Sequence, residues 1–247
     1  MDLLNEGVDD PGIFKCIFLA GGPGSGKSRV ARDLFGISSV TSFSSSGLKT
    51  INSDIAFEKK LKDSGINAKD LGKIAQSDPE LWDMIQGKSH NSIRSQAKTL
   101  TNHQRDFYEA GRLGMIIDGT GNDTSKIKGQ KERAEKMGYD CFMVFVNTSL
   151  DVAKYRNSMR DRVMPDDLVT SIWKDCQNNM GKFQTMFSGN FRIVDNSKNG
   201  NNISADIKKG VDGFIREPLR NPIGKKWVTQ ARSACAPAVL RTDGALE

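Results

Sequence analysis

Eight consecutive residues, Gly21-Gly22-Pro23-Gly24-Ser25-Gly26-Lys27-Ser28, have the types and spacing of a cradle for phosphate. They fit the pattern G-x-x-x-x-G-K-[ST]. In it, glycines let backbone N–H groups approach phosphate oxygens, the lysine reaches the β and γ oxygens, and the serine hydroxyl is placed for Mg²⁺. An apolar run over residues 13–20 enters the stretch and a helical pattern over residues 27–35 leaves it. The free N–H groups and dipole of that helix end favour the same anion. The chemistry predicted is binding of a nucleoside triphosphate, ATP, with Mg²⁺.

Two carboxylates stand at the ends of short apolar stretches. Thr50-Ile51-Asn52-Ser53-Asp54 reads as a brief strand ending in Asp54, followed by a helix through Phe57 and Leu61 that stops near Gly65. With no basic neighbour in sequence, Asp54 is the candidate general base for an attacking hydroxyl; its other reading is the N-cap of a helix beginning at Ile55. Gly114-Met115-Ile116-Ile117-Asp118 reads as a buried parallel strand that opens into a site at its carboxyl end. Asp118 would hold Mg²⁺ with Ser28 or orient the acceptor; its other reading is also a cap. Arg156 and Arg160 are four residues apart, with Arg162 just beyond, directly before Met164-Pro165. On one helical face they would form a mobile lid that spreads over the charge developing in phosphoryl transfer.

The elements that must position these groups alternate. The clearest strand is Cys141-Phe142-Met143-Val144-Phe145-Val146-Asn147, and the last is Phe191-Arg192-Ile193-Val194-Asp195. Helices are expected over residues 79–112, where Trp82, Ile85, Ile93, Ala97, Leu100 and Phe107 fall near one face and Gly87 marks a break. Others are expected over residues 124–138, after a capping box from Thr148 to Asp151, from Pro165 toward Phe187, and over residues 203–215. His90, His103, Arg94 and Arg105 read as solvated residues. Strands separated by helices predict right-handed crossovers and a three-layer α/β sandwich of the P-loop NTPase type. Its mostly parallel five-stranded sheet would carry helices on both faces and a small helical lid at about residues 156–168. Residues 1–12 read as a polar leader, 13–216 as the catalytic domain and 217–247 as a basic tail, with its last residues possible cloning remnants.

Composition bounds the rest. A chain of 247 residues with 37% hydrophobic content accommodates one large core. A net charge of +6 suits an anionic partner such as a nucleotide or nucleic acid. No apolar run approaches the roughly 18 residues of a membrane span, and Met1 opens no secretory leader, so a cytoplasmic protein is expected. The four cysteines lack metal-ligand spacing, and Cys16 and Cys141 read as buried, reduced core residues.

The phosphate loop, Asn52-Ser53-Asp54, Ile117-Asp118-Gly119-Thr120-Gly121, the strand ending Val146-Asn147-Thr148 and the arginines together resemble the P-loop kinases that include zeta toxins and polynucleotide 5′-hydroxyl kinases. The resemblance covers about residues 13–195. It implies an Asp118 strand beside the phosphate-loop strand, Asp54 as base, and Arg156, Arg160 and Arg162 in the lid. It also places Asp118, Thr120 and Asn122 at the substrate. Zeta toxins, which phosphorylate UDP-activated amino sugars, have glutamate where Asp118 stands and arginine where Asn122 stands. The expected activity is therefore ATP-dependent transfer to a hydroxyl of a nucleic acid or nucleotide, including a modified base in DNA. The alternatives are a zeta-type kinase of a UDP-amino sugar, a nucleoside monophosphate kinase, and a nucleotide-driven switch without an acceptor.

Overall fold

The computed structural model describes residues 7–37, 44–160, 163–198 and 203–235. Five strands form one parallel sheet in the order β2-β3-β1-β4-β5: β1 Lys15–Ala20, β2 Lys49–Ile51, β3 Met115–Gly119, β4 Asp140–Asn147 and β5 Phe191–Asp195. The helices are α1 Lys27–Phe35, α2 Ser53–Asp63, α3 Leu71–Ser77, α4 Pro79–Gln86, α5 Ile93–Ala110, α6 Thr124–Lys136, α7 Leu150–Ser158, α8 Asp166–Phe187, α9 Ala205–Arg216 and α10 Pro222–Cys235.

Why helices cover both faces is written in the two-residue period of the central strands. Cys16 and Phe18 of β1 share one apolar cluster with Cys141, Met143 and Phe145 of β4, together with Ile127, Phe183 and Val228 from α6, α8 and α10. Ile17 and Leu19 share the opposite cluster with Phe142, Val144 and Val146, packed on Val30, Phe35, Val211 and Phe214 from α1 and α9. Side chains alternate across a strand, so a strand apolar at every position must be covered on both sides. Cys16 and Cys141 are buried free thiols at paired positions of β1 and β4.

Helices α2 to α5 form a third cluster around Phe57, Leu61, Leu71, Ile85 and Ala97. The break near Gly87 is present between α4 and α5. The expected apolar face is wrong at two places: Leu100 and Phe107 are exposed, while Thr101 and Glu109 are buried instead. Thr101 satisfies its hydroxyl within the helix, on the Ala97 carbonyl at 2.8 Å. Glu109 is buried because Arg133 of α6 and Arg105 of its own helix reach its carboxylate. Arg105 is accordingly not solvated. Among the described residues no helix is long and apolar enough to cross a membrane.

Part of the basic C-terminal segment is a docked helix. Trp227 of α10 meets the Phe14 ring edge-on at 5.4 Å, and Val228 is buried. The backbone N–H groups of Arg220 and Asn221 both donate to Asp140, at 2.9 Å each, and Asp140 also holds the buried Lys15 ammonium at 3.2 Å. Residues 236–247 lie outside the described residues, as do residues 1–6.

Candidate active site

The parallel strands bring the chemical groups to one end of the sheet. β1 lies between β3 and β4, with Leu19 paired to Asp118 and Ala20 to Gly119, so Asp118 sits beside the entry to the phosphate loop. Gly21 tightens this junction by donating its N–H to the Thr120 carbonyl at 3.1 Å.

Loop 21–28 then turns into α1 through two left-handed residues, Gly24 at φ 70° and Gly26 at φ 83°. A Cβ at Gly24 would strike the Ala153 carbonyl of α7, and one at Gly26 would strike Asn196 Nδ2. Both the dihedral and the space demand glycine. Lys27 Nζ bonds back across the loop to the Gly21 carbonyl at 2.6 Å. Ser28 lies exposed in the first turn of α1, whereas Ser25 is buried with no hydrogen-bond partner for Oγ among the described residues. Gly22 and Pro23 complete the loop and are both buried.

Asp54 stands at the second position of α2. The residue that caps this helix is Asn52, whose Oδ1 accepts from the Asp54 N–H at 2.8 Å, so the cap reading of Asp54 is corrected. The expectation that Asp54 lacks a basic neighbour holds only along the chain. Arg94 of α5 donates to its Oδ1 at 2.8 Å while lying over the Phe57 ring at 5.0 Å, so Arg94 is no ordinary solvated residue. Asp118 Oδ2 accepts from Asn52 Nδ2 at 2.8 Å, and Asp118 Oδ1 is buried with no hydrogen-bond partner among the described residues. Burial pushes the Asp118 carboxyl up; Lys27 opposes the rise and Asp54 adds to it.

The arginines separate. Arg156 in α7 donates to the Asn196 carbonyl at 2.9 Å, and its guanidinium comes within 3.5 Å of where a Gly26 Cβ would lie. Burial, and secondarily the nearby Arg29, lower its pKa. Arg160 is exposed and stands beyond the end of α7, so the shared helical face expected for the pair is not formed. Arg162 lies outside the described residues. The expected hinge is gripped: the fully buried Asn157 donates to the Met164 carbonyl at 2.8 Å and accepts from its N–H at 3.2 Å. Helix α7 is capped by Ser149 rather than by Thr148, whose hydroxyl turns to the Asn196 carbonyl at 3.4 Å.

Asn196 is a site residue that sequence reasoning missed. Buried at the end of β5, it donates through Nδ2 to the Ser25 carbonyl at 2.7 Å and through its backbone to Asn147 at 2.8 Å, while its carbonyl receives Arg156. Among the described residues, Thr120 and Asn122 make their hydrogen bonds through the backbone. The Thr120 carbonyl accepts from Gly21 and from Cys176 Sγ, and the Asn122 carbonyl accepts from Asn179 at 2.9 Å. The Cys176 thiol is pushed up to about 11 by burial and stays protonated as that donor. Beside α1, a cavity of about 250 Å³ is lined by Arg29, Asp33, Asp195, Asn196 and Ile207.

The oxygen set fits Mg²⁺. The orphaned Asp118 Oδ1 and the exposed Ser28 hydroxyl are hard donors at the phosphate loop. Among the described residues no group of three or more His, Cys, Asp and Glu side chains could cage a metal, so most ligands would come from phosphate and water.

A five-stranded parallel sheet with β1 running into this loop is a fold of the P-loop NTPase type. The chain belongs to the AAA domain family, whose model matches residues 16–182. No curated protein matches it. Among solved structures it is similar to a proposed kinase of Chloroflexus aurantiacus, with 11% identity, a TM-score of 0.50, and coverage of 82% of this chain and 98% of that one. A chain from the PezAT toxin–antitoxin system of Streptococcus pneumoniae shares 14% identity at a TM-score of 0.47, over 89% of this chain and 85% of that one. A chain of the AvrRxo1-ORF1:-ORF2 complex with ATP shares 13% identity at a TM-score of 0.47, over 80% of this chain. The match spans 62% of that longer chain.

Proposed function

We propose that the protein is an ATP-dependent phosphotransferase that moves the γ-phosphate to a hydroxyl of a nucleic acid or nucleotide. The observation that carries this reading is a pair of carboxylates joined through Asn52: Asp118 next to the entry of the phosphate loop and Asp54 at the second position of α2, two residues after the Asn52 cap. Asp54 is half-exposed beside Arg94, where an incoming hydroxyl can reach it, and acts as the general base. Backbone N–H groups of residues 21–28 and Lys27 bind the phosphates, so Lys27 must exchange the Gly21 carbonyl for β and γ oxygens when ATP enters. Ser28 and Asp118 would hold Mg²⁺, which would supply charge neutralisation for the phosphates. Arg156, fixed next to the loop, steadies the charge that develops on the transferring group, with Arg160 and Arg162 in the same segment.

Arg94 supports an anionic acceptor. It places a cation directly beside the base, where a phosphate of the acceptor would pair with it, and the net charge of +6 favours the same partners. The reading is tested by transfer of labelled γ-phosphate from ATP to 5′-hydroxyl DNA and RNA, base-modified DNA, mononucleotides and UDP-sugars. Label should enter a nucleic acid or nucleotide, and Lys27→Ala should abolish transfer while leaving the fold intact. Label on a UDP-sugar alone, or hydrolysis indifferent to every acceptor, would contradict it.

A further inference from the structure

Asp54 and Asp118 belong to different elements, one on a helix after β2 and the other on β3, yet one side chain touches both. Asn52 Oδ1 accepts from the Asp54 backbone N–H at 2.8 Å, and Asn52 Nδ2 donates to Asp118 Oδ2, also at 2.8 Å. A carboxamide has one acceptor end and one donor end, so the two bonds determine each other. The N–H of Asp54 can only donate and therefore takes the oxygen; the nitrogen must then face Asp118. Engaging Oδ2 leaves Oδ1 of Asp118 as the buried oxygen without a partner among the described residues. β2 and β3 are paired in register, Ile51 to Ile117, so the residues just after these partners, Asn52 and Asp118, meet side by side.

We propose that Asn52 is a positioning residue that locks the first turn of α2, carrying Asp54, to the Asp118 carboxylate, and so sets which Asp118 oxygen is presented at the phosphate loop. The proposal rests on the phosphotransferase reading for its kinetic consequence but not for its geometry. An ordinary N-cap needs only the acceptor end, which Asp and Ser supply as well as Asn. The donor end is what a cap does not require and what the site uses. Aspartate at this position would cap α2 but oppose Asp118 with a second carboxylate, and serine would cap it without spanning to Asp118.

The experiment compares Asn52→Ser and Asn52→Asp in the full chain, with Asp118→Ala and the Asn52→Ser/Asp118→Ala double variant. Both Asn52 variants should melt within a few degrees of the wild type. Their kcat should fall at least about tenfold, Asn52→Asp further than Asn52→Ser, with KM for ATP nearly unchanged. In the Asp118→Ala background, Asn52→Ser should change kcat less than about twofold, because a residue acting through another has no effect once that other is gone. Near-wild-type kcat in both single variants would leave Asn52 as a cap alone and overturn the proposal. A second readout does not depend on activity. In ¹⁵N-resolved spectra the Asn52 side-chain amide should exchange slowly and lose that protection in Asp118→Ala, and an unchanged amide would overturn the bridge. Absence of transfer by the wild type with every acceptor sinks the phosphotransferase reading, and the amide measurement still decides the bridge.

Discussion

At the scale of single residues, the chemistry depends on which donors and acceptors are already engaged. Arg156 and Arg160 illustrate this: four residues apart in sequence, they differ because the first lies in the last turn of α7 facing Asn196 and the second follows the helix end into solvent. Arg156→Ala should therefore lower the transfer rate at least about tenfold, since removing one oxyanion-type donor costs on the order of 10²–10³ in the best-characterised cases. Arg160→Ala should have a smaller effect, and single-turnover rates with saturating ATP check the ranking. Equal losses in the two variants would mean that the segment rearranges when ATP binds. The phosphate-loop residues and both aspartates were legible because their motif is local. Arg94, Asn52 and Asn196 act on partners 40, 66 and 171 positions away, respectively, and no spacing rule reaches that far.

At the scale of elements, the phosphate loop is a turn whose shape is bought by glycine. Gly26 combines φ 83° with the Asn196 amide where a Cβ would stand. Gly26→Ala should weaken ATP binding by about tenfold or more, because the loop must open away from β5 to admit the methyl group and its N–H groups lose their aim. Titration with a fluorescent ATP analogue measures this, and unchanged affinity would show that the loop tolerates the shift. The strands were readable because near-continuous apolar runs bounded by glycine or carboxylate suit a parallel strand covered on both faces. Periodicity failed on α5, where Leu100 and Phe107 follow the apolar spacing yet face outward. The buried pattern there is set by Thr101 and by Glu109, which its arginine partners allow into the interior, and a hydropathy pattern cannot see pairing.

At the scale of the whole molecule, the sheet has a chemical end and a structural end. At the structural end, Asp140 ties Lys15 of β1 to the backbone of residues 220 and 221, from which α10 runs onto Phe14. Asp140→Ala should cost about 3 kcal/mol, since it strands a buried ammonium and frees two N–H groups, and a denaturant midpoint measures the loss. Reading residues 217–247 as a basic tail left open whether they are ordered, because the anchor of this attachment is one carboxylate far back in the chain. The chemical end carries the central claim, that the protein transfers phosphate to a hydroxyl with Asp54 as base. Asp54→Asn isolates that role: the cap belongs to Asn52, and the half-exposed pair with Arg94 is worth at most about 1 kcal/mol. The decisive measurement is γ-phosphate transfer by Asp54→Asn beside its ATP affinity. The account predicts affinity within about twofold of wild type and transfer reduced by at least about a hundredfold. Near-wild-type transfer by the folded variant would contradict it.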